Sequence, residues 1–110
     1  MRSGSDDAQV LVIGAGPVGL MTAQRLLAAG IDVTVLETEP ALTHDLRAST
    51  FHPPTLDMLA EDGLADDLVN LGVICREWQI RIHPAGERVI FDMSVIAGDT
   101  GHPYRLQAEQ

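Results

Sequence analysis

Apolar residues near the start of the chain form two short runs that flank a segment with helical spacing. The run at 9–13 ends abruptly at Gly14, which is typical of a strand in a parallel sheet buried on both faces. Pro17 suits a first helical turn, and Gly30 suits the position just after a helix ends. Between them the apolar residues recur every three or four positions, at Leu20, Ala23, Leu26 and Leu27. A second apolar run follows at 33–36, so the pattern predicts a right-handed βαβ crossover with a parallel strand pair.

The pattern changes in the second half of the chain. Residues 38–52 show no hydrophobic period and predict an ordered loop. Leucines at helical spacing then predict two short helices, one stopped by Gly63 and the other by Gly72. Residues 78–82 and 89–93 alternate between apolar and polar and predict a β-hairpin. The predicted fold class is therefore α/β, with a Rossmann-like βαβ unit and an appended β-hairpin in an incomplete domain.

The junction of the first strand and the helix carries a glycine pattern. It reads G-x-G-x-x-G, as Gly14, Ala15, Gly16, Pro17, Val18 and Gly19. Gly14 allows a tight turn, Gly16 lets the backbone approach a pyrophosphate, and Gly19 lets the helix pack close to the strand. The helix N-terminus offers N–H groups and the positive end of its dipole to the phosphates. We call these six residues the glycine loop.

A carboxylate stands at the end of the second strand. Glu37 lies 18 residues beyond Gly19, where such a side chain accepts the ribose hydroxyls of an adenosine. Its charge disfavours a 2′-phosphate, and Thr38 supplies no cation beside it. The order strand, glycines, helix, strand and carboxylate predicts a site for the ADP moiety of a dinucleotide. The glycine loop alone leaves both FAD and NAD open, because both contain ADP.

Two further stretches favour FAD. Residues 46–59, followed by Gly63 and Leu64, and residues 102–110 resemble conserved stretches of the FAD-dependent aromatic hydroxylases. This is the family of the para-hydroxybenzoate and 3-(3-hydroxyphenyl)propionate hydroxylases, and the resemblance spans nearly all 110 residues. It implies that residues 1–110 are the N-terminal part of an FAD-binding domain from which the substrate domain is absent.

The resemblance also implies roles for particular residues. In the family, the positions of the three loop glycines and of Glu37 hold the ADP moiety. The positions of Arg47 and Gln107 reach FAD along its ribityl and phosphate portion. Relatives often carry Arg or Lys at the position of Thr38, so this chain departs from the family at that adenine-side contact. Residues 98–102 echo a G-D-x-x-H stretch of the family, but that stretch lies far downstream in relatives, so we interpret these residues as a loop.

The implied activity is hydroxylation of a small aromatic, phenolic substrate, with NAD(P)H as the reductant of FAD and O2 as the oxygen source. The catalytic residues are unknown, and no substrate-contacting residue is identified within these 110 residues. We therefore expect the activity to belong to a longer chain and the 110-residue chain alone to be inactive. Two alternatives stay open: the FAD- or NAD-binding segment of another oxidoreductase, and a truncated, non-catalytic remnant.

The composition of the chain argues against several classes of binding partner. The net charge is −9 with only seven Lys and Arg, which argues against nucleic acid and against anionic membrane surfaces. The chain shows no signal-like or membrane-spanning apolar run, so we expect a cytoplasmic protein. Cys75 is the only cysteine and is expected to be a buried structural thiol. The histidines show no metal-ligand spacing, and no metal site is predicted.

Overall fold

The computed structural model describes residues 8–42 and 48–109, and the chain divides into two compact units, Met1–Asp45 and Leu46–Gln110. The first unit contains β1 (Val10–Ile13), α1 (Pro17–Ala28) and β2 (Val33–Leu36). The second contains β3 (Thr50–Phe51), α2 (Pro53–Glu61), α3 (Ala65–Asn70), β4 (Val73–Cys75), β5 (Glu77–Ile82), β6 (Glu87–Asp92), a 3₁₀ helix (Met93–Ile96) and β7 (Arg105–Gln107). The predicted α/β class is confirmed, including the appended hairpin.

The first unit is the predicted βαβ arrangement. β1 and β2 pair in parallel, with Ile13 opposite Leu36 at the ends where the chain leaves each strand. The helix between them ends as its glycine predicts: Gly30 has a φ of +77°. Its N–H donates to the Leu27 carbonyl, and the next N–H, from Ile31, donates to the Leu26 carbonyl. This pair of bonds satisfies carbonyls that the last helical turn would leave without partners.

The two strands of this unit bury only one face. Val12 is 9% exposed and Ala23 of α1 is 5% exposed, whereas Leu11 is 60% and Ile13 76% exposed. Neighbouring strand residues point to opposite faces, and a single helix covers one face of the pair. Within residues 8–42, the prediction that β1 is buried on both faces is therefore wrong.

The second unit is organised around a short central strand. β7 pairs antiparallel with β3 on one side and with β4 on the other. Leu106 of β7 and Leu56 of α2 are fully buried and form the core with Ala108. The prediction of a loop throughout residues 38–52 is wrong at β3, and the sequence did not predict β4 or β7. Strands of two or three residues carry too little alternation to be recognised, and they exist here because they pair with a central strand distant in the chain.

Both predicted helices of this unit are present. The two prolines at positions 53 and 54 occupy the first turn of α2, where a missing N–H costs no helical hydrogen bond. Gly63 follows α2 with a φ of +73°, which confirms it as the residue that ends the helix. α3 then stops just before Gly72, so the chain turns into β4.

The hairpin pairs β5 with β6 in the register that brings Trp78 opposite Phe91. Their rings stack with centroids 4.0 Å apart and an interplanar angle of 7°. The guanidinium carbon of Arg105 lies 5.4 Å from the Trp78 ring centroid. Arg105 belongs to β7, the central strand of the three-stranded sheet.

Candidate functional site

The glycine loop leaves β1 through a left-handed residue. Gly14 has a φ of +97°, which a residue with a side chain adopts only with strain. Its N–H donates to the Leu36 carbonyl at 2.7 Å, extending the parallel ladder by one bond beyond the strands. This geometry confirms the predicted tight turn at the first glycine and fixes where the loop starts relative to β2.

The other two glycines differ in their surroundings. A Cβ on Gly19 would overlap the carbonyl oxygen of Gly14 and would lie 3.4 Å from Cγ1 of Val12. The helix therefore packs against the loop and β1 only because this residue has no side chain, as predicted. A Cβ on Gly16, by contrast, would meet no heavy atom of the described residues within 4 Å. No described atom of the protein fills the space beside Gly16, so a ligand can occupy that volume.

The helix that follows begins at a glycine and a proline, neither of which carries a capping side chain. Gly16 is its N-cap in an extended conformation, Pro17 is its first residue, and no side chain among the described residues caps the turn. The carbonyl of Gly16 accepts the first intrahelical bond from the Leu20 N–H at 2.9 Å. The N–H groups of Val18 and Gly19 precede that bond, so they belong to the first turn, whose donors lack helical acceptors. Such a turn attracts an anion.

The carboxylate of Glu37 is held by backbone N–H groups from two segments. Its Oε2 accepts from the Ala15 N–H at 2.7 Å, across to the glycine loop. Its Oε1 accepts from the Thr38 N–H at 2.7 Å and from the Glu39 N–H at 2.9 Å. The Thr38 hydroxyl adds a longer contact of 3.4 Å to the same oxygen. The hydrogen bonds from the N–H groups of Glu39, Ala15 and Thr38 lower the pKa of the Glu37 carboxyl, so it is ionised at neutral pH.

The predicted residues of the first unit therefore come together in one place. Strand, loop, helix start and carboxylate converge at the carboxyl ends of β1 and β2, where ligands bind in open α/β sheets. One feature was not visible in the sequence: Glu37 is bonded to the glycine loop itself. A carboxylate after a strand signals a ribose acceptor, but its spacing does not reveal which backbone groups lie within its reach.

The second unit contains another predicted residue beside a groove. Gln107 joins the β3 segment through two bonds, its Nε2 donating to the Ser49 hydroxyl at 2.6 Å and its Oε1 accepting from the Thr50 hydroxyl at 3.1 Å. It lines an open groove of about 650 Å³, whose remaining lining residues are Ala48, Ser49, Asn70, Leu71, Gly72, Val73, Ala108 and Glu109. Arg47, predicted to act with Gln107, lies outside the described residues.

A hydrogen-bonded cluster around Asp57, which the sequence did not predict, anchors the segment before β7. Asp57 of α2 accepts from the Thr100 hydroxyl at 2.6 Å, and its other oxygen lies 2.6 Å from Nδ1 of His102. The hydroxyl of Thr100 and then the ring of His102 lower the pKa of the Asp57 carboxyl. The stretch 98–102 thus has a structural partner within its own unit, in agreement with its interpretation as a loop. Each residue was visible in the sequence, but their pairing spans more than forty positions and no local signal reports it.

Other chemistry is sparse in the described part of the chain. Residues 8–42 and 48–109 contain no cluster of three or more His, Cys, Asp or Glu side chains that could hold a metal ion. Cys75 is half-buried, with its Sγ 3.8 Å from the Val73 carbonyl oxygen. Among these residues, no helix is both long and apolar enough to cross a membrane.

Known proteins resemble this chain in sequence. Residues 7–100 match the family described as the FAD binding domain. The chain is 44% identical over 98 residues to a para-nitrophenol 4-monooxygenase of a Pseudomonas strain, an alignment covering 88% of this chain and 24% of that protein.

Solved structures also match. The p-nitrophenol 4-monooxygenase of Pseudomonas putida superposes with a TM-score of 0.79 at 42% identity, over 91% of this chain and 25% of that one. A complex of aklavinone-11 hydroxylase with FAD and aklavinone gives a TM-score of 0.72 at 29% identity, over 96% of this chain and 22% of that one. The chain spans about a quarter of the length of the first curated relatives it matches.

Proposed function

Because the chain belongs to the FAD-binding-domain family, we propose that it forms the ADP-holding part of an FAD-dependent monooxygenase that hydroxylates aromatic rings. The relatives named above are monooxygenases or hydroxylases, one of them solved with FAD bound. In this proposal NAD(P)H is the reductant, O2 is the oxygen source and a small aromatic compound is the substrate. Residues 1–110 then supply the N-terminal part of the FAD-binding domain.

The observation that carries the proposal is the geometry of the glycine loop. Space is open beside Gly16, and the first turn of α1 presents N–H groups without a side-chain cap in the described residues. A pyrophosphate fits both features, because its charge matches the helix N-terminus and its bulk needs the volume that a side chain at position 16 would fill. Ala15, Pro17 and Val18 complete the loop backbone on which it would lie.

Glu37 supports the assignment to an adenosine ribose. A carboxylate has roughly four acceptor directions, and three are taken by the N–H groups of Ala15, Thr38 and Glu39. The remaining direction, on Oε2, suits one ribose hydroxyl. The sequence alone suggested that both hydroxyls bond to this carboxylate, and the bond from the loop leaves room for one direct bond in the observed arrangement. Thr38, whose N–H and hydroxyl face Glu37, then acts on the adenosine side only by holding that carboxylate.

We assign the distal part of FAD to Gln107 and Arg47. The Gln107 amide has two Nε2 hydrogens, of which one is donated to the Ser49 hydroxyl, and the residue lines the groove described above. When bound, FAD supplies the electron transfer between NAD(P)H and O2, and the residues of this chain bind and orient it. A cytoplasmic location is part of the same proposal, and cell fractionation tests it.

Titration with FAD, followed by quenching of flavin fluorescence, tests the proposal. We expect the wild-type protein to bind FAD and Gly16→Val to lose binding, because a branched side chain fills the pyrophosphate volume. Gly98→Val is the matched control, since a Cβ on Gly98 also meets no described atom within 4 Å. Absence of FAD binding by the wild type would support a non-catalytic remnant, and full binding by Gly16→Val would refute the assigned position of the pyrophosphate.

A further inference from the structure

The bond from Ala15 to Glu37 joins two segments that are 22 residues apart in the chain. Ala15 lies between the left-handed Gly14 and the N-cap Gly16, and both of these neighbours are glycines with wide conformational freedom in the unfolded chain. Glu37 is fixed at the end of β2 by its own neighbours, since the N–H groups of Thr38 and Glu39 hold its other oxygen. The carboxylate is thus anchored at one end and holds the glycine loop at the other.

The neighbouring bond strengthens this arrangement. The Gly14 N–H donates to the Leu36 carbonyl, so two consecutive loop N–H groups are held by two consecutive residues of the β2 end. The first of these bonds uses a backbone carbonyl and is independent of side-chain identity. The second requires a carboxylate oxygen at position 37. A glycine-rich segment loses more conformational entropy on ordering than any other, so a bond that orders it before a ligand arrives lowers the cost of binding.

We propose that Glu37 is a positioning residue that holds the glycine loop in its phosphate-accepting conformation before any nucleotide binds. This inference rests on the proposed function and adds to the role of Glu37 as a ribose acceptor. It differs from that role in one measurable respect. A carboxylate that only accepts ribose hydroxyls has no effect on ligands that lack them, whereas a carboxylate that orders the loop affects every ligand whose phosphates use the loop.

Glu37→Gln separates the two roles. A glutamine keeps the length of the side chain and one acceptor oxygen, which the Thr38 and Glu39 N–H groups can occupy. Its amide nitrogen is a donor and then faces the Ala15 N–H, which is also a donor, so the bond to the loop is lost. Glu39→Gln is the matched control, because it removes the same charge two residues away and leaves the Glu37 carboxylate in place.

The first experiment titrates the wild type and both variants with ADP and with 2′,3′-dideoxy-ADP. We expect Glu37→Gln to weaken both ligands, and dideoxy-ADP by on the order of tenfold, which is the size expected when one charge-assisted bond is lost. Glu39→Gln should bind both as the wild type does. Equal affinity of the wild type and Glu37→Gln for dideoxy-ADP would overturn the inference while leaving Glu37 as a ribose acceptor.

The second experiment needs no ligand. Amide hydrogen exchange of the nucleotide-free protein, resolved by NMR, should show the Ala15 N–H exchanging at least about tenfold faster in Glu37→Gln than in the wild type and Glu39→Gln. Circular dichroism establishes that the three proteins are equally folded. Unchanged exchange at Ala15 would overturn the inference. Faster exchange at Ala15 in Glu37→Gln, combined with no FAD binding by the wild type, would refute the proposed function and leave the loop-ordering role standing.

Discussion

Two glycines of one loop should respond differently to the same added methyl group. In Gly19→Ala the new Cβ overlaps the Gly14 carbonyl oxygen and lies 3.1 Å from its carbon, so loop and helix must separate by on the order of 1 Å. Forcing an extra methyl into a packed contact costs about 1–3 kcal/mol. In Gly16→Ala the Cβ meets no described atom within 4 Å, and the cost is the loss of a favourable N-cap residue, below about 1 kcal/mol.

For a small domain, 1 kcal/mol shifts the thermal midpoint by roughly 4–8 °C. We therefore expect Gly19→Ala to lower the midpoint of the apoprotein by about 4–24 °C, and Gly16→Ala to lower it by only a few degrees. The assay is thermal unfolding of the nucleotide-free protein followed by far-ultraviolet circular dichroism, with an FAD titration of each variant. FAD affinity should fall in both. A Gly19→Ala midpoint equal to that of the wild type would refute the packing argument, since the loop would have accommodated the methyl at no cost.

Further predictions concern the core of the second unit and the loss of folding stability at acidic pH. Leu106→Ala should lower the free energy of unfolding by about 2–5 kcal/mol because this side chain is fully buried, whereas Leu71→Ala, at an 81% exposed position, should change it by less than about 0.5 kcal/mol in urea titrations. The pKa values of Glu37 and Asp57 are lowered in the folded state. Their hydrogen bonds therefore stabilise the folded state fully above the ordinary pKa values of 4.5 and 3.8, and this stabilisation is lost as the pH falls through the lowered pKa values. Urea midpoints should therefore fall less steeply on acidification in Glu37→Gln and Asp57→Asn than in the wild type, and identical acid slopes would contradict this account.

The first unit was predictable because its signals are local. A glycine pattern between an apolar run and a helical repeat, followed by a strand ending in Glu37, specifies strand, turn, helix and parallel partner within about 30 residues. The hairpin was predictable for the same reason, since alternation and a turn lie next to each other in the chain.

The sheet of the second unit was not predictable in this way. β7 is a strand only because Phe51 and Ile74 provide partners for Leu106 on both sides, and neither partner is adjacent in the sequence. The same limit applies to the candidate site. The type and position of Glu37 suggested a ribose acceptor, but its bond to Ala15 depends on how closely the loop returns to β2, which residue spacing does not encode.

The stacked aromatic pair in the hairpin gives the second unit a fluorescence signal of its own in solution. Trp78 is the single tryptophan of the chain, and it lies against the Phe91 ring with Arg105 beside it. Its emission therefore reports whether the hairpin stays joined to the central strand β7. Unfolding followed by tryptophan emission tracks the unit Leu46–Gln110, whereas backbone circular dichroism tracks both units. Coincidence of the two curves would mean that the units Met1–Asp45 and Leu46–Gln110 unfold cooperatively, and separation would mean that the first unit can unfold while the hairpin remains intact.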